Sequence, residues 1–280
     1  MDRPLGDYIS AQLSIISTII HLFILIFIIY HKQLRKVQTH RLLINLSLGH
    51  FLTGITNFSG TFVVLDLSKV TYAWYVYANL SLLTLTVDRS FSIFWPFKYQ
   101  MTSTFTKVMF LAFSPTCCLV YVTKMVFQPT NTKKVADNHA SMKFFIFGMG
   151  IEIVLLIIAN SLTFLAVCRQ RRKIAAVNVP HNNTNTASRN EIVRFYVCFG
   201  CIITYALLWA PAILLKIVEI YGKVVMDHKY FSMTIAIANI NPLSDAFLLL
   251  FFNRELKSIL KHIFYGRKSS PKVSQSVREA

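Results

Sequence analysis

The sequence is short of charged residues, and acids are the scarcest of them. Its 280 residues include 12 Asp and Glu against 29 Lys and Arg, and charged residues total 15%, where about a quarter is usual in soluble proteins. This shortage excludes an ordinary soluble domain. Hydrophobic residues make up 54%, with 23 Phe, which excludes both a disordered basic tail and a basic nucleic-acid-binding domain. Apolar segments combined with a net charge of +17 indicate a membrane protein with basic ends.

Seven apolar runs are long enough to cross a bilayer, which takes about 20 residues of helix. They cover about residues 10–30, 42–65, 70–94, 108–127, 141–168, 192–218 and 230–252. Apolar residues then recur at helical spacing over 253–265, which is typical of an amphipathic helix on the membrane surface. The sequence thus predicts an all-α membrane protein, a seven-transmembrane helix bundle over residues 1–266 with that surface helix, followed by a disordered cytoplasmic tail at 267–280.

The distribution of Lys and Arg predicts the orientation of the bundle. Of the 29 basic residues, 20 fall in the loops and tail that share a side with the C-terminus. Because basic residues collect on the cytoplasmic side, the N-terminus is predicted to be extracellular and the C-terminus cytoplasmic, in the plasma membrane. The expected partner of this basic face is the lipid bilayer, and no nucleic acid is expected.

Three motifs in three of the runs resemble a known family. Asp88-Arg89-Ser90 ends the third run, Leu208-Trp209-Ala210-Pro211 lies in the sixth, and Asn241-Pro242-Leu243-Ser244-Asp245 lies in the seventh. They resemble the Asp-Arg-Tyr, Cys-Trp-x-Pro and Asn-Pro-x-x-Tyr motifs of rhodopsin-like (class A) G-protein-coupled receptors, and the resemblance covers essentially the whole chain. The segment 86–94 looks melanocortin-like, a branch grouped with the cannabinoid and lysophospholipid receptors.

The resemblance implies a receptor that activates heterotrimeric G proteins by outward movement of its sixth helix. Asp88 and Arg89 then belong to the activation switch, with Trp209 reporting ligand occupancy and Pro211 acting as a pivot. Glu191 lies 20 residues before Pro211, where many family members carry an acid that pairs with the arginine in the inactive state. The alternative for Glu191 is a solvated charge near the start of a helix.

Three residues depart from the family pattern. His21 takes the place of an asparagine in the first span, His50 that of a buried aspartate in the second, and Asp245 that of a tyrosine in the seventh. The family's sodium site is therefore expected to be lost, since a hard cation prefers oxygen ligands. Ionisable groups inside a membrane usually face the bundle interior with a partner, so we expect His21, His50, Asn241 and Asp245 to form a polar network. A purely structural network is the alternative.

Ligand-binding candidates lie in the outer half of the bundle, because the segment before the first span is only about nine residues. The resemblance implies that residues whole turns before Arg89 lie on the face that lines the family's ligand cavity, with Trp209 one turn of packing below that cavity. Glu152 would hold a cationic group or make a structural contact, and Lys216 would meet an anionic group or snorkel to the membrane surface. The predicted site comprises Thr71, Tyr72, Tyr75, Glu152, Trp209 and Lys216. An unknown lipid, peptide or small molecule fits this set.

Other function classes remain as alternatives. A divergent seven-helix receptor that does not couple alone, acting as a decoy or with a partner, is the main one, because Ser90 and Asp245 replace family residues. A transporter or channel is disfavoured, since internal repeats are not apparent. Paired intramembrane aspartates and His-Glu-x-x-His are not found. The sequence therefore predicts no enzyme, no cofactor and no metal.

Overall fold

The computed structural model describes residues 4–36, 38–62, 68–101, 104–126, 148, 150–151, 153–165, 168–169, 184–222, 227–252 and 257. Within these ranges all regular elements are helices and no strand occurs, which confirms the predicted all-helical character. In chain order they are α1 (Leu5–Tyr30), α2 (Lys32–Lys36), α3 (Gln38–Phe62), α4 (Ser68–Phe94), α5 (Pro96–Met101), α6 (Thr104–Val126), α7 (Ile153–Leu165), α8 (Thr184–Gly222), α9 (His228–Ala238) and α10 (Asn241–Phe252). Apart from residue 257, the predicted surface helix and the tail lie outside the described residues.

The largest differences between the helices and the predicted runs occur at α8 and in the seventh run. Helix α8 has 39 residues and begins at Thr184, eight residues before the predicted sixth span. The seventh run divides into α9 and α10, separated by a turn at residues 239–240. Proline explains the division, because Pro242 has no N–H to continue the hydrogen bonds of α9. Helices α2 and α5 are short elements between the predicted spans.

Three helical segments in the described part of the chain are long and apolar enough to cross a membrane. They are Leu5–Tyr30, Phe199–Glu219 and Lys229–Leu250. Helices α3 and α4 carry more polar residues, and these lie inside: Ser47, His50, Thr53, Asn79, Ser81, Thr84 and Thr86 are buried. Ile55, Phe58, Val70 and Val87 on the same helices are exposed. A polar interior with an apolar exterior suits a chain associated with a membrane.

The helices surround a common core. Helix α1 packs against α3, α9 and α10, while α3 also packs against α4 and α6. Helix α4 contacts α6 and α8, and α8 returns to α9 and α10. The fully buried side chains that fill this core include Ile24, Ile28, Leu42, Leu46, Leu82, Leu156, Ile202 and Tyr205. Every candidate residue described below lies on one of these packed helices or on α5, α7 or the turn before α10.

Small residues allow close approach of the helices. A Cβ atom built on Gly49 of α3 would lie 2.8 Å from Cα of Ala78 on α4. A Cβ on Gly54 would meet Thr18 of α1, and one on Gly6 would meet Ser232 of α9. Association of helices in lipid relies on such close contact, since lipid removes the hydrophobic driving force between helices. These glycines therefore set the spacing of α1, α3, α4 and α9.

Hydroxyl side chains inside the helices are satisfied by the backbone of the preceding turn. Ser14, Thr18, Thr53, Ser81, Thr84, Thr86, Thr163 and Thr204 each donate to the carbonyl four residues earlier, at 2.7–3.0 Å. An unpaired hydroxyl is costly in an apolar medium. This local pairing lets many Ser and Thr residues lie in the core without a tertiary partner.

Candidate functional site

Four buried polar side chains meet between α1, α3 and α10. His21 and Asp245 are 0% exposed, and His50 and Asn241 are 3% exposed. Nε2 of His50 lies 3.1 Å from Oδ2 of Asp245, and Nδ2 of Asn241 lies 3.4 Å from the same oxygen. The two imidazole rings are 4.8 Å apart between centroids. The structure thus brings together the four side chains predicted to form a network, which we call the polar cluster.

The interruption between α9 and α10 supplies the hydrogen-bond partner of His21. Nε2 of His21 donates to the carbonyl oxygen of Pro242 at 2.9 Å. Helix α9 ends with the N–H of Asn239 on Ile235 O, and in the turn the N–H of Ile240 donates to Ile237 O at 3.0 Å. Helix α10 then begins at Asn241, and residues 241 and 245, one helical turn apart, share the face toward α1 and α3. The proline therefore positions the polar cluster as well as interrupting the helix.

The polar cluster links three helices through a charge that needs compensation. An ionised carboxylate in an apolar interior is very costly unless it is paired and hydrogen-bonded. His50 supplies the partner for Asp245 from a different helix. Removing one member of the pair would leave the other buried without its partner, so the contact makes α3 and α10 depend on each other.

A second polar group lies toward the N-terminal end of α1. Nδ2 of Asn57 donates to Oγ of Ser14 at 2.7 Å and to Oγ of Ser10 at 3.1 Å. Nδ2 of Asn239 donates to the same Ser10 hydroxyl, and the Tyr75 hydroxyl donates to Oδ1 of Asn239. This hydroxyl–amide cluster (Ser10, Ser14, Asn57, Tyr75, Asn239) joins α1, α3 and α4 to the turn before α10.

Trp209 of α8 packs on the hydroxyl–amide cluster. Its ring meets the Tyr75 ring edge to face, with centroids 5.1 Å apart at 85°. The Tyr205 ring lies 6.4 Å away, and the Tyr205 hydroxyl accepts a hydrogen bond of 2.9 Å from Asn79. Trp209 is 3% exposed. A movement of this large side chain therefore cannot occur without disturbing Tyr75.

Replacing Tyr75 with Phe should separate the hydrogen bond from the aromatic packing. The Phe ring keeps its contact with Trp209, whereas Oδ1 of buried Asn239 loses its donor, at a cost of about 1 kcal/mol. We expect the melting temperature of the purified chain to fall by about 3 °C. Tyr8→Phe is the matched control, since Tyr8 is exposed. An equal melting temperature for Tyr75→Phe and the native chain would contradict a stabilising role of this hydrogen bond.

The predicted ligand-binding residues are only partly brought together. Tyr75 and Trp209 are in contact, and Thr71 lies half-buried on α4. Nζ of Lys216 lies 2.6 Å from Oε2 of Glu219 and 4.1 Å from the centroid of the Phe231 ring. Lys216 is thus already paired, a contact that was not predicted from the sequence. Glu152 and the side chain of Tyr72 lie outside the described residues.

The predicted switch residues lie at the other end of α4. Asp88 is 2% exposed and accepts a hydrogen bond of 2.9 Å from the Tyr99 hydroxyl on α5. Ser90 Oγ lies 2.6 Å from Thr163 Oγ1, which links α4 to α7. Arg89 and Glu191 lie on α4 and α8, but their side chains are outside the described part. Pro211 lies inside α8, two residues after Trp209.

Several residues at these sites were not predicted from the sequence. They are Ser10, Ser14, Asn57, Asn79, Tyr99, Thr163, Tyr205 and Asn239. Asparagines inside apolar runs were a usable signal, because an amide in a membrane helix usually bonds a neighbouring helix. The serines carried no such signal, since a serine can satisfy itself within its own helix.

The described residues hold no group of three or more His, Cys, Asp or Glu side chains placed to bind a metal ion. No protein-family model matches the chain, and no curated protein matches it either. The polar cluster, the hydroxyl–amide cluster and the contacts of Asp88 and Ser90 are suited to coupling helices together, because each hydrogen bond that joins two helices would have to break or shift if those helices moved apart.

Proposed function

We propose that the chain is a multi-pass membrane receptor that responds to an extracellular ligand. More particularly, we propose a rhodopsin-like G-protein-coupled receptor with seven membrane-spanning helices, its N-terminus outside and its C-terminus in the cytoplasm. The motifs at residues 88–90, 208–211 and 241–245 support this proposal, together with three helical segments able to cross a membrane. The partner on the inner face is a heterotrimeric G protein.

One observation carries the proposal: a continuous series of contacts from α8 to the polar cluster. Trp209 packs on Tyr75, and Tyr75 bonds Asn239 in the turn before α10. Asn239 lies two residues before Asn241, whose amide meets Asp245. A ligand that displaces the Trp209 or Tyr75 ring therefore acts on the turn from which the polar cluster is built.

The proposed activation step is a shift between two populations of the bundle. A ligand favours the active state only by binding it better than the resting state. Pro211 weakens the backbone of α8 at one level and provides a pivot. The inner half of α8 then swings outward, Arg89 separates from Glu191, and the opened face binds the G protein. The receptor carries out no covalent chemistry.

The contacts also bear on the class of ligand. Tyr75 and Trp209 offer aromatic surface, which suits a lipid, a peptide or an apolar small molecule. Lys216 would first have to leave Glu219 in order to bind an anionic head group. We therefore favour a ligand held by aromatic and hydrogen-bonding contacts over one held by Lys216.

A second candidate is a receptor of the same fold that does not couple alone. Two observations favour it: Ser90 ties α4 to α7 through Thr163, and Asp245 is held in the core by His50. Both contacts oppose helix movement. In this case the chain would bind a ligand or a partner receptor without activating a G protein.

Basal recruitment of G proteins distinguishes the two candidates. Replacing Glu191 with Ala removes the proposed partner of Arg89, and loss of about 1 kcal/mol of resting-state stabilisation raises the active population about fivefold. We expect basal recruitment to rise by that factor for at least one G-protein class. The measurement compares a panel of G proteins at matched surface levels.

Glu279→Ala is the matched control, because it removes one acid near the end of the chain and leaves Glu191 in place. The control should couple like the native chain. If native and Glu191→Ala chains are both silent at normal surface levels, the non-coupling receptor is favoured. Equal, measurable coupling in both would contradict the proposed Arg89–Glu191 pair.

A further inference from the structure

The polar cluster contains more hydrogen-bond acceptors than donors. A carbonyl oxygen only accepts, so Nε2 of His21 carries the proton that is donated to Pro242, and Nδ1 of a neutral His21 is then a lone pair. Among the described residues, the buried atoms without a hydrogen-bond partner include Nδ1 of His21, Nδ1 of His50, Oδ1 of Asn241, Oδ1 of Asp245 and the hydroxyls of Ser17 and Ser47. They lie in pairs, about one turn apart, on α1, α3 and α10. Such a set favours an added positive charge.

The chemistry of these groups decides which cation fits. No group of three or more His, Cys, Asp or Glu side chains in the described part of the chain is placed to bind a metal ion. An imidazole nitrogen binds a hydrogen ion directly, without a coordination shell or additional volume. We propose that the polar cluster is a binding site for one hydrogen ion, carried by His50 and neutralised by Asp245.

The geometry limits the site to a single hydrogen ion. The His21 and His50 rings are 4.8 Å apart between centroids, and both are buried. Two positive charges at that separation repel strongly in a medium of low dielectric constant. His21 therefore stays neutral, with its N–H on the Pro242 carbonyl, and orients the neighbouring ring of His50.

Binding and release follow a simple proton balance. In the bound state His50 carries N–H groups at both ring nitrogens, and its Nε2–H faces Asp245 at 3.1 Å. On release, the proton at Nδ1, which has no protein partner, passes to a water molecule to form hydronium. Neutral His50 keeps its Nε2–H toward Asp245. The ion pair between α3 and α10 is then reduced to a hydrogen bond beside an uncompensated carboxylate.

Other buried titratable side chains on the surrounding helices have separate partners or positions. Tyr75 bonds Asn239, Asp88 bonds Tyr99 and Tyr205 bonds Asn79. The remaining ones in the described core are His40 on α3, Tyr77 on α4 and Cys201 on α8. The proposed proton exchange therefore involves His50 and Asp245, with His21 as the neighbour that limits it.

The regulatory consequence rests on the proposed receptor function, whereas the proton site does not. The bound proton strengthens the link between α3 and α10 and so favours the resting packing. Its release favours separation of these helices and entry of water. As the pH rises, basal coupling to the G protein is therefore expected to increase, whereas the stability of the resting state is expected to decrease.

Thermal unfolding of the purified full chain in lipid nanodiscs tests the site without a G protein. Between about pH 5.5 and about pH 8.5, where histidine titrates, we expect the native melting temperature to fall by about 4 °C. His50→Gln removes the bound proton and should abolish this fall. His31→Gln is the matched control, since His31 lies at the end of α1 against Phe27, and it should keep the fall.

Two further measurements keep the test decisive. In nitrogen-15 spectra of histidine-labelled chain, the number of imidazoles that lose their Nδ1 proton over this range should be smaller by one in His50→Gln than in the native chain. If His50→Gln does not fold, the exchange variant His50→Asp with Asp245→His must show the pH-dependent fall. The same fall in His50→Gln would overturn the site. So would a melting temperature that responds to sodium against choline chloride and not to pH.

Discussion

Replacing Asp245 with Ala should lower the free energy of unfolding by about 3–5 kcal/mol, the usual cost of removing one partner from a buried ion pair. His50→Ala should have a similar effect. The variant that exchanges the two, His50→Asp with Asp245→His, should recover most of the loss, because the pair forms again with its charges reversed. In the exchanged variant, the carboxylate at position 50 lies beside the His21 ring. In the native chain, the centroid of that ring is 4.8 Å from the centroid of the His50 ring.

A double-mutant cycle with Ala at both positions measures the coupling between them. The double Ala variant should be more stable than the sum of the single losses predicts, since neither partner is then left alone. Melting temperature in detergent and surface expression in cells are the two readouts. Additive single losses, together with a swap no better than Asp245→Ala, would show that the 3.1 Å contact contributes nothing specific.

Gly49→Leu should prevent the bundle from folding, and Gly49→Ala should already cost about 1–3 kcal/mol through overpacking. The added Cβ would lie 2.8 Å from Cα, 2.9 Å from Cβ and 3.0 Å from N of Ala78. Two of these three atoms belong to the backbone of α4, so no side-chain rotation relieves the contact. The whole of α4 would have to move away from α3.

Gly148→Ala is the matched control for this series. Gly148 is exposed and helical, and a Cβ built there meets no atom within 4 Å. This change should be neutral or stabilise by about 0.5–1 kcal/mol, the normal gain of Ala over Gly in a helix. Adding Ala78→Gly to Gly49→Ala should restore part of the loss by removing the Cβ contact. If Gly49→Ala and Gly148→Ala melt alike, the close approach of α3 and α4 is not required.

The helical part of the fold was predictable because it depends on local patterns. Apolar runs located the helices that contain residues 10–30 and 70–94, and the all-helical character followed from the absence of strand patterns. The turn before α10 was less predictable. Pro242 signals a missing hydrogen bond, but a proline inside a helix produces a kink at one site and a full break at another. Pro115 and Pro211 lie inside continuous helices.

Among the polar groups, too, some contacts could be predicted from the sequence and others could not. His21, His50 and Asp245 could be grouped from the sequence, because an ionisable side chain in an apolar run needs a buried partner. The hydroxyl–amide cluster could not, since Ser10 and Asn57 are uncharged and have many ways to be satisfied. Lys216 illustrates a third case. Its pairing with Glu219 depends on which rotamers the surroundings allow, and Phe231 from α9 takes part in that choice.

The length of α8 has a mechanical consequence. From Pro211 to its first residue, Thr184, the helix continues for 27 residues, which corresponds to about 40 Å at 1.5 Å per residue. The arm on the other side of Pro211 ends at Gly222, only about 17 Å away. A bend of about 10° at the proline moves the far end of the long arm by about 7 Å and the short arm by about 3 Å. The two arms of the helix are unequal in length, so a small displacement near Trp209 becomes a larger one at Thr184.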